Sequence, residues 1–369
     1  MRKTVKDFYH QLLHLHQNII KNSINKNFQL ESLFIIPIDG DCFCGDFLVG
    51  LKVIIQKPNT MPVDLSEILV VGVSTRALFN LEVENEIFQN QGIEAFRQYQ
   101  LEKENDLLEP GTAFFLVKSL LELNTIANKR IVEVVIMSRN SPETGFRVLN
   151  SIDNHKLDIS RVAFTGGEPL SPYIDAYDID LFLSKDSTEV QRVIDSKKCA
   201  AAYLYAPPTD FDPKDTRVKI AFDADAVLFS EESEYRYKTE GMDSFHQYEK
   251  EHENDPLSEG PFANLLIKLS KIQEHLPMRI EYSPLRLAIV TARNAPSHKR
   301  VIKTLRKWNV YVDEVYFLGG LAKDKVLEAF GAHIFFDDQD THLASASLVV
   351  PSGKVPYETN SPLNKLEKQ

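Results

Sequence analysis

The sequence predicts an α/β protein made of two copies of one parallel-sheet unit, the second copy enlarged by a helical insert. Three observations predict it. Residues 92–111 read GIEAFRQYQLEKENDLLEPG and residues 241–260 read GMDSFHQYEKEHENDPLSEG, matching at about 10 of 20 positions without a gap. The likeness extends outward. VVGVSTRALF (70–79) lies over KIAFDADAVL (219–228), VVIMSRN (134–140) over AIVTARN (288–294), and VAFTGG (162–167) over VYFLGG (315–320). A period of about 150 residues is domain-sized rather than that of a solenoid repeat. Second, short apolar runs alternate with helical patterns, the signature of βαβ units and a Rossmann-like parallel sheet. Third, each apolar run of the second copy ends in chemically useful polar residues, and such sheets bind ligands outside the carboxyl ends of their strands.

The elements follow in order. Residues 1–30 read as an amphipathic helix, and 31–66 hold apolar runs broken by Pro and Gly, a small β element. The first unit runs over 67–205. Residues 206–217, APPTDFDPKDTR, have no apolar period and read as a linker. The second unit spans 218–350, with strands expected at 218–222, 285–290, 312–317 and 333–336 and helices at 297–308 and 323–330. Residues 230–286 exceed what a simple crossover needs and read as a helical cap. The polar stretch 351–369 reads as a loose tail.

Composition bounds the function. With 43% hydrophobic residues in 369, the chain can bury a large core, and a net charge of −11 argues against a nucleic-acid polymer or a polybasic membrane patch as partner. A homo-oligomer is left open. Cys42, Cys44 and Cys199 are too few for a disulfide framework. The opening MRKTVKDFYHQLLHLHQNIIKNS lacks an apolar stretch long enough for a signal peptide or a span, so a cytoplasmic location is expected.

The strand ends of the second unit deliver Asp223 and Asp225, then Thr291 and Arg293, then Asp337 and Asp338, with Lys323 opening the helix before the last strand. Clustered carboxylates persist when a cation or shared proton offsets their repulsion. An all-oxygen set selects a hard cation such as Mg²⁺, and Thr291 and Lys323 suit the oxygens of a phosphoryl group. The first unit is an internal control, with Ser74, Arg76, Met137, Leu170, Ser184 and Lys185 at the matching positions. If the acids were only turn or helix caps, some should recur there. IIPIDGDCF at 35–43 also ends in Asp-Gly-Asp, but Pro37 within the run disfavours a central strand. Asp39 and Asp41 are read as a turn.

FDADAVLF, VTAR, the lysine of GGLAKDKVLEAF and IFFDDQ resemble the four motifs of the haloacid dehalogenase superfamily. More narrowly, STRALF, FTGGEPLSPY, FDADAVLFSEESE, VTARN and HIFFDDQ resemble the cytosolic 5′-nucleotidase I family over residues 70–340. The resemblance implies a Mg²⁺-dependent phosphatase of nucleoside 5′-monophosphates. It implies Asp223 as nucleophile, Asp225 as acid then base, and Thr291 and Lys323 as phosphate ligands. It further implies Asp338 as metal ligand with Asp337 beside it, Asp223 sharing the metal and Asp225 offering its backbone carbonyl. Ala224 stands where close relatives often carry Gly. The alternatives are a phosphatase or phosphotransferase of the same superfamily for another phosphoester, and a nucleotide sensor without catalysis.

For substrate binding the candidates are Arg76, the Thr165-Gly166-Gly167 turn, Arg293 and Phe245. Phe245 and the nearby Tyr248 are more simply core at their three-residue spacing. His246, His252, His298 and His333 have no metal-ligand spacing and read as core or surface.

Overall fold

The computed structural model describes residues 64–209, 211–213, 215–277 and 282–366. The helix expected over 1–30, most of the β element over 31–66, and Asp39, Asp41, Cys42 and Cys44 lie outside the described residues. The first half contains β1 (Leu69–Val73), α1 (Thr75–Leu78), α2 (Glu82–Gln91), α3 (Ile93–Glu102), α4 (Phe114–Ala127) and β2 (Val132–Ser138). It continues with α5 (Phe146–Asn154), β3 (Arg161–Phe164), β4 (Leu181–Ser184), α6 (Ser187–Ser196) and β5 (Ala200–Leu204). The second half contains β6 (Val218–Phe222), a π turn (Ala224–Leu228), α7 (Glu232–Glu240), α8 (Met242–Glu251), α9 (Ala263–Gln273) and β7 (Leu285–Thr291). Then come α10 (His298–Lys307), β8 (Glu314–Phe317), α11 (Asp324–Phe330), β9 (Ile334–Asp337), α12 (Asp340–Ala346), β10 (Ser352–Lys354) and α13 (Pro362–Leu366).

Among the described residues ten strands form one sheet, in the order β3-β2-β1-β4-β5-β10-β9-β6-β7-β8. Strands β1–β5 are mutually parallel, as are β6–β10. The halves join through an antiparallel pair, with Gly353 opposite Leu204 and Lys354 opposite Tyr203. The carboxyl ends of β1–β5 therefore lie on the opposite edge of the sheet from those of β6–β10. Read outward from that join, both halves have the same strand order.

β1, β2 and β4 are buried along their whole length, which is why they read as continuous apolar runs: helices cover both faces. The outermost strands, β3 and β8, are only half buried. Among the described residues no helix is long and apolar enough to cross a membrane.

Three boundaries differ from expectation. The stretch 206–217 does not separate two cores, because a single apolar cluster runs from Leu69 through Phe182 to Phe336, with α4 packed on β6 and α9 on β1. The stretch after 350 is not loose. It supplies β10 at the join, and Val355 and Leu363 are fully buried. The insert is shorter than 230–286, since α9 is the crossover helix, burying Leu265, Leu266, Leu269 and Ile272. What remains is the α7–α8 hairpin, answered in the first half by α2–α3.

Two pairs of glycines explain the ends of the repeated block. Gly92 and Gly241, between the hairpin helices, have φ of 87° and 84°, where an L side chain is strained. Gly111 and Gly260 lie so close to the preceding turn that a Cβ would meet Ala77 O at 2.8 Å and Phe229 O at 2.4 Å.

Candidate active site

β6 carries Asp223 to the edge of the sheet, and its backbone N–H donates to Phe336 O of β9 at 2.8 Å. The chain then makes the π turn, closed by Phe229 N donating to Ala224 O at 2.8 Å, with Asp225 extended and Ala226 left-handed at φ 58°. In the first half the same connection is an α turn, Phe79 N to Thr75 O at 2.9 Å. Phe79 and Phe229 are equivalent because each bridges the far end of its hairpin, at Pro110 and Glu259. The second half thus holds one more residue between strand and bridge, DADAVLF against STRALF, and the ungapped alignment of Phe79 with Leu228 is corrected by one position. The wider turn sends the Asp225 carboxylate to Arg293, which donates to it at 2.8 and 2.6 Å.

β7 ends in Thr291, and its Oγ1 accepts from Arg293 N at 3.2 Å, which leaves the hydroxyl proton to donate elsewhere. Lys323, 3% exposed at the start of α11, bridges Asp223 Oδ1 at 2.8 Å and Asp337 Oδ2 at 2.6 Å. Asp337 ends β9 and also meets His342 Nδ1 and the Gln339 N–H. Asp338 accepts from the Tyr357 hydroxyl, while its Oδ1 is buried with no hydrogen-bond partner among the described residues. One carboxylate oxygen from each of Asp223, Asp337 and Asp338 lies within 4.8 Å of the others. Asp225 is outside that cluster, its side chain being held by Arg293.

The family model described as 5′-nucleotidase matches residues 61–362. The chain belongs to the 5′-nucleotidase family. Human cytosolic 5′-nucleotidase 1B is 37% identical over 287 residues, covering 75% of this chain and 47% of that protein. The chain thus spans about half the length of that curated relative. A solved chain described as "Structure of Pnkp1/Rnl/Hen1 complex" overlaps 82% of this chain and 99% of its own length. Its identity is 14% and its TM-score 0.29, too low to carry an argument.

In this 5′-nucleotidase family chain the electrostatics follow from burial. Desolvation pushes the Asp223 carboxyl up, against the opposing pull of Lys323, and Asp337 and Asp225 add to the rise. Desolvation also raises Asp338 well above the ordinary range, helped by Glu234, Asp337 and Asp223. For Asp337, burial is outweighed by Lys323 and His342, and its pKa is lowered. Arg293 and Lys323 are each desolvated, yet their carboxylate partners hold them charged. The orphaned Asp338 oxygen and the all-oxygen donor set fit a hard divalent cation.

Some substrate candidates are not brought here. Arg76, Thr165, Gly166 and Gly167 follow β1 and β3, so the antiparallel join puts them on the opposite edge of the sheet. Arg76 pairs with Glu82 at 2.9 Å instead. Phe245 is close to the site but only 8% exposed, its ring facing Arg293 and Tyr237. The first-half counterpart of Thr291 also shifts. β1 pairs Val73 with Ile136 where β6 pairs Phe222 with Ile289, so Ser138, not Met137, matches Thr291.

Three residues escape the sequence reading. Glu249, fully buried on α8, bridges Arg293 at 2.7 Å and Arg300 at 2.8 Å. Glu234 on α7 approaches the Tyr357 hydroxyl at 3.3 Å and Gln339 Nε2 at 3.0 Å. Tyr357 comes from beyond β10. Glu249 carried a signal, since it differs from Gln100 inside the well-matched block. Tyr357 carried none.

Proposed function

We propose that the chain is a Mg²⁺-dependent 5′-nucleotidase that hydrolyses nucleoside 5′-monophosphates through an aspartyl-phosphate on Asp223, as a haloacid dehalogenase-type phosphatase. The observation that carries this is the buried Asp223–Lys323–Asp337 arrangement beside an unpartnered Asp338 oxygen. An Asp223 oxygen attacks phosphorus while the bond to the 5′-oxygen breaks, and Asp225 gives that oxygen a proton. Asp225 then takes a proton from water, which attacks the acyl phosphate and frees Asp223 and inorganic phosphate. Lys323 fixes the attacking carboxylate, Thr291 donates its hydroxyl to a phosphoryl oxygen, and Arg293 aims Asp225. Asp338, Asp223 and the Asp225 backbone carbonyl, with Asp337 beside them, would hold a Mg²⁺, which would supply positive charge for the phosphoryl oxygens.

We read the two halves as copies of one unit, the second catalytic. Their common strand order, paired bridges and hairpin glycines support that reading. The α7–α8 hairpin serves as the cap that excludes water, with Glu249 and Glu234 reaching from it to the site. Substrate discrimination then rests on this hairpin and Arg293. The test is phosphate release from nucleoside 5′-monophosphates and sugar phosphates with Mg²⁺ or with EDTA. We expect nucleotide turnover that EDTA abolishes and that Asp223→Asn lowers by at least about a thousandfold. Retention of a tenth of the activity in that variant would sink the assignment.

A further inference from the structure

The carboxyl ends of β1, β2 and β4 form a second crevice, on the edge of the sheet away from Asp223. Ser74 follows β1, Ser138 ends β2 and Ser184 ends β4, and these residues are 9%, 4% and 1% exposed. They belong to one place: Ser74 N donates to Leu183 O at 2.8 Å, and Ser138 Oγ lies 3.3 Å from Thr75 Oγ1. Ser74 Oγ accepts from Ala77 N and Ser184 Oγ from Asp186 N, so both keep a hydroxyl proton with no acceptor among the described residues. Arg76 Nε is likewise buried without a partner among them. Lys185 and Arg76 both reach the Glu82 carboxylate, at 3.1 and 2.9 Å, and Glu82 is 45% exposed at its side chain.

The charge balance is inverted relative to the other edge. Asp223, Asp225, Asp337 and Asp338 are answered by Ser74, Arg76, Ser184 and Lys185. Next to them Arg139, after β2, lies 3.6 Å from Asp186, which follows Lys185. Three cations against the carboxylates of Glu82 and Asp186 leave a positive crevice lined by unused donors. Its complement is an anion with several acceptor oxygens.

We infer that this first-half crevice is a metal-independent oxyanion site that takes a phosphate group, either free or on a small phosphoester. Glu82 stands in for the ligand, holding Arg76 and Lys185 together until a phosphate competes for them. No hydrolysis occurs there, because no carboxylate stands at the position of the nucleophile.

Equilibrium dialysis of the full chain against radiolabelled inorganic phosphate, in low salt with EDTA, tests this. With EDTA present, the four carboxylates of the Asp223 edge face only Lys323 and Arg293, an excess of negative charge that disfavours phosphate. We expect one phosphate bound per chain. Lys185→Ala should weaken it at least tenfold, Glu82→Gln should tighten it several-fold, and Thr291→Val should leave it unchanged. Ser184→Ala, with far-ultraviolet circular dichroism of each variant, serves if Lys185→Ala does not fold, and should weaken binding several-fold. Repeating the series with a nucleoside 5′-monophosphate separates the sources. Tighter binding with the same variant pattern assigns a phosphoester, and equal or weaker binding assigns free phosphate. Absence of binding at 10 mM phosphate (about the upper end of a useful affinity) overturns the inference. So does binding that survives Lys185→Ala and Ser184→Ala but is lost in Thr291→Val, which would assign the ligand to the Asp223 edge.

Discussion

Asp225 and Asp223 are two residues apart, yet their surroundings assign them different work. Asp223 is buried against an ammonium that fixes one of its oxygens, an arrangement suited to attack. Asp225 is partly exposed and gripped by a guanidinium through both oxygens, which fixes its direction while leaving it within reach of solvent. The expected outcome for Asp225→Asn is separation of the two chemical steps. The amide still permits attack, but water loses its base, so a phosphorylated Asp223 accumulates in rapid-quench labelling and turnover falls by about a hundredfold or more. A variant that turns over slowly with no phosphoenzyme would remove Asp225 from the second step.

At the scale of the element, a one-residue difference turns the α turn of the first half into the π turn that carries Asp225. The extra residue forces Ala226 into the left-handed region, where a side chain costs about 1–2 kcal/mol. Ala226→Gly should therefore unfold in urea within about 0.5 kcal/mol of the parent, relief being offset by unfolded-state entropy. Ala226→Val, with a branched side chain at 5% exposure, should lose about 2 kcal/mol or more. The α7–α8 hairpin is tied to the same turn through Glu249, buried between Arg293 and Arg300. The first half shows the alternative: Gln100 replaces Glu249, Asn140 replaces Arg293, and Arg147 turns to Glu84 at 2.5 Å. Glu249→Gln leaves two buried cations short of a partner and should cost about 3 kcal/mol. Adding Arg293→Asn should recover part of that loss, measurable as a coupling energy in a double-mutant cycle.

At the scale of the whole molecule, His333 ties the halves together. Fully buried, it accepts at Nδ1 from Lys219 N at 3.3 Å, so Nε2 carries the proton and donates to Ser119 Oγ of α4 at 3.4 Å. Burial, seconded by the Lys219 charge, lowers its pKa to about 4. The folded state thus prefers the neutral ring, and the unfolded chain takes up a proton first as pH falls. This contribution is complete above pH 6.5 and is lost as pH drops from 6.5 towards 4, amounting to about 2 kcal/mol by pH 5. Urea midpoints at pH 7 and pH 5 should differ less in His333→Gln than in the parent. An equal difference would show that His333 titrates normally.

The sequence by itself determined the residues of the candidate site and most of the local structure. The run at 218–222 is the strand observed, and Asp223, Thr291 and Asp337 fall at strand ends because apolar runs stop where the sheet does. Their convergence was legible because parallel strands of one unit present their carboxyl ends together. The repeat located the acids in one half, although a one-residue insertion after Asp223 and a register shift at Ser138 were invisible to an ungapped comparison. Only the tertiary structure decided which groups share an edge. That depends on β10, the three residues Ser352-Gly353-Lys354, which carry no apolar run and no period. Their antiparallel pairing with β5 turns one half against the other, removes Arg76 and Thr165 from the Asp223 crevice, and brings Tyr357 to Asp338. A local pattern records what each strand buries. It does not record the direction in which a distant strand arrives, because that is set by non-local hydrogen bonds and a shared core.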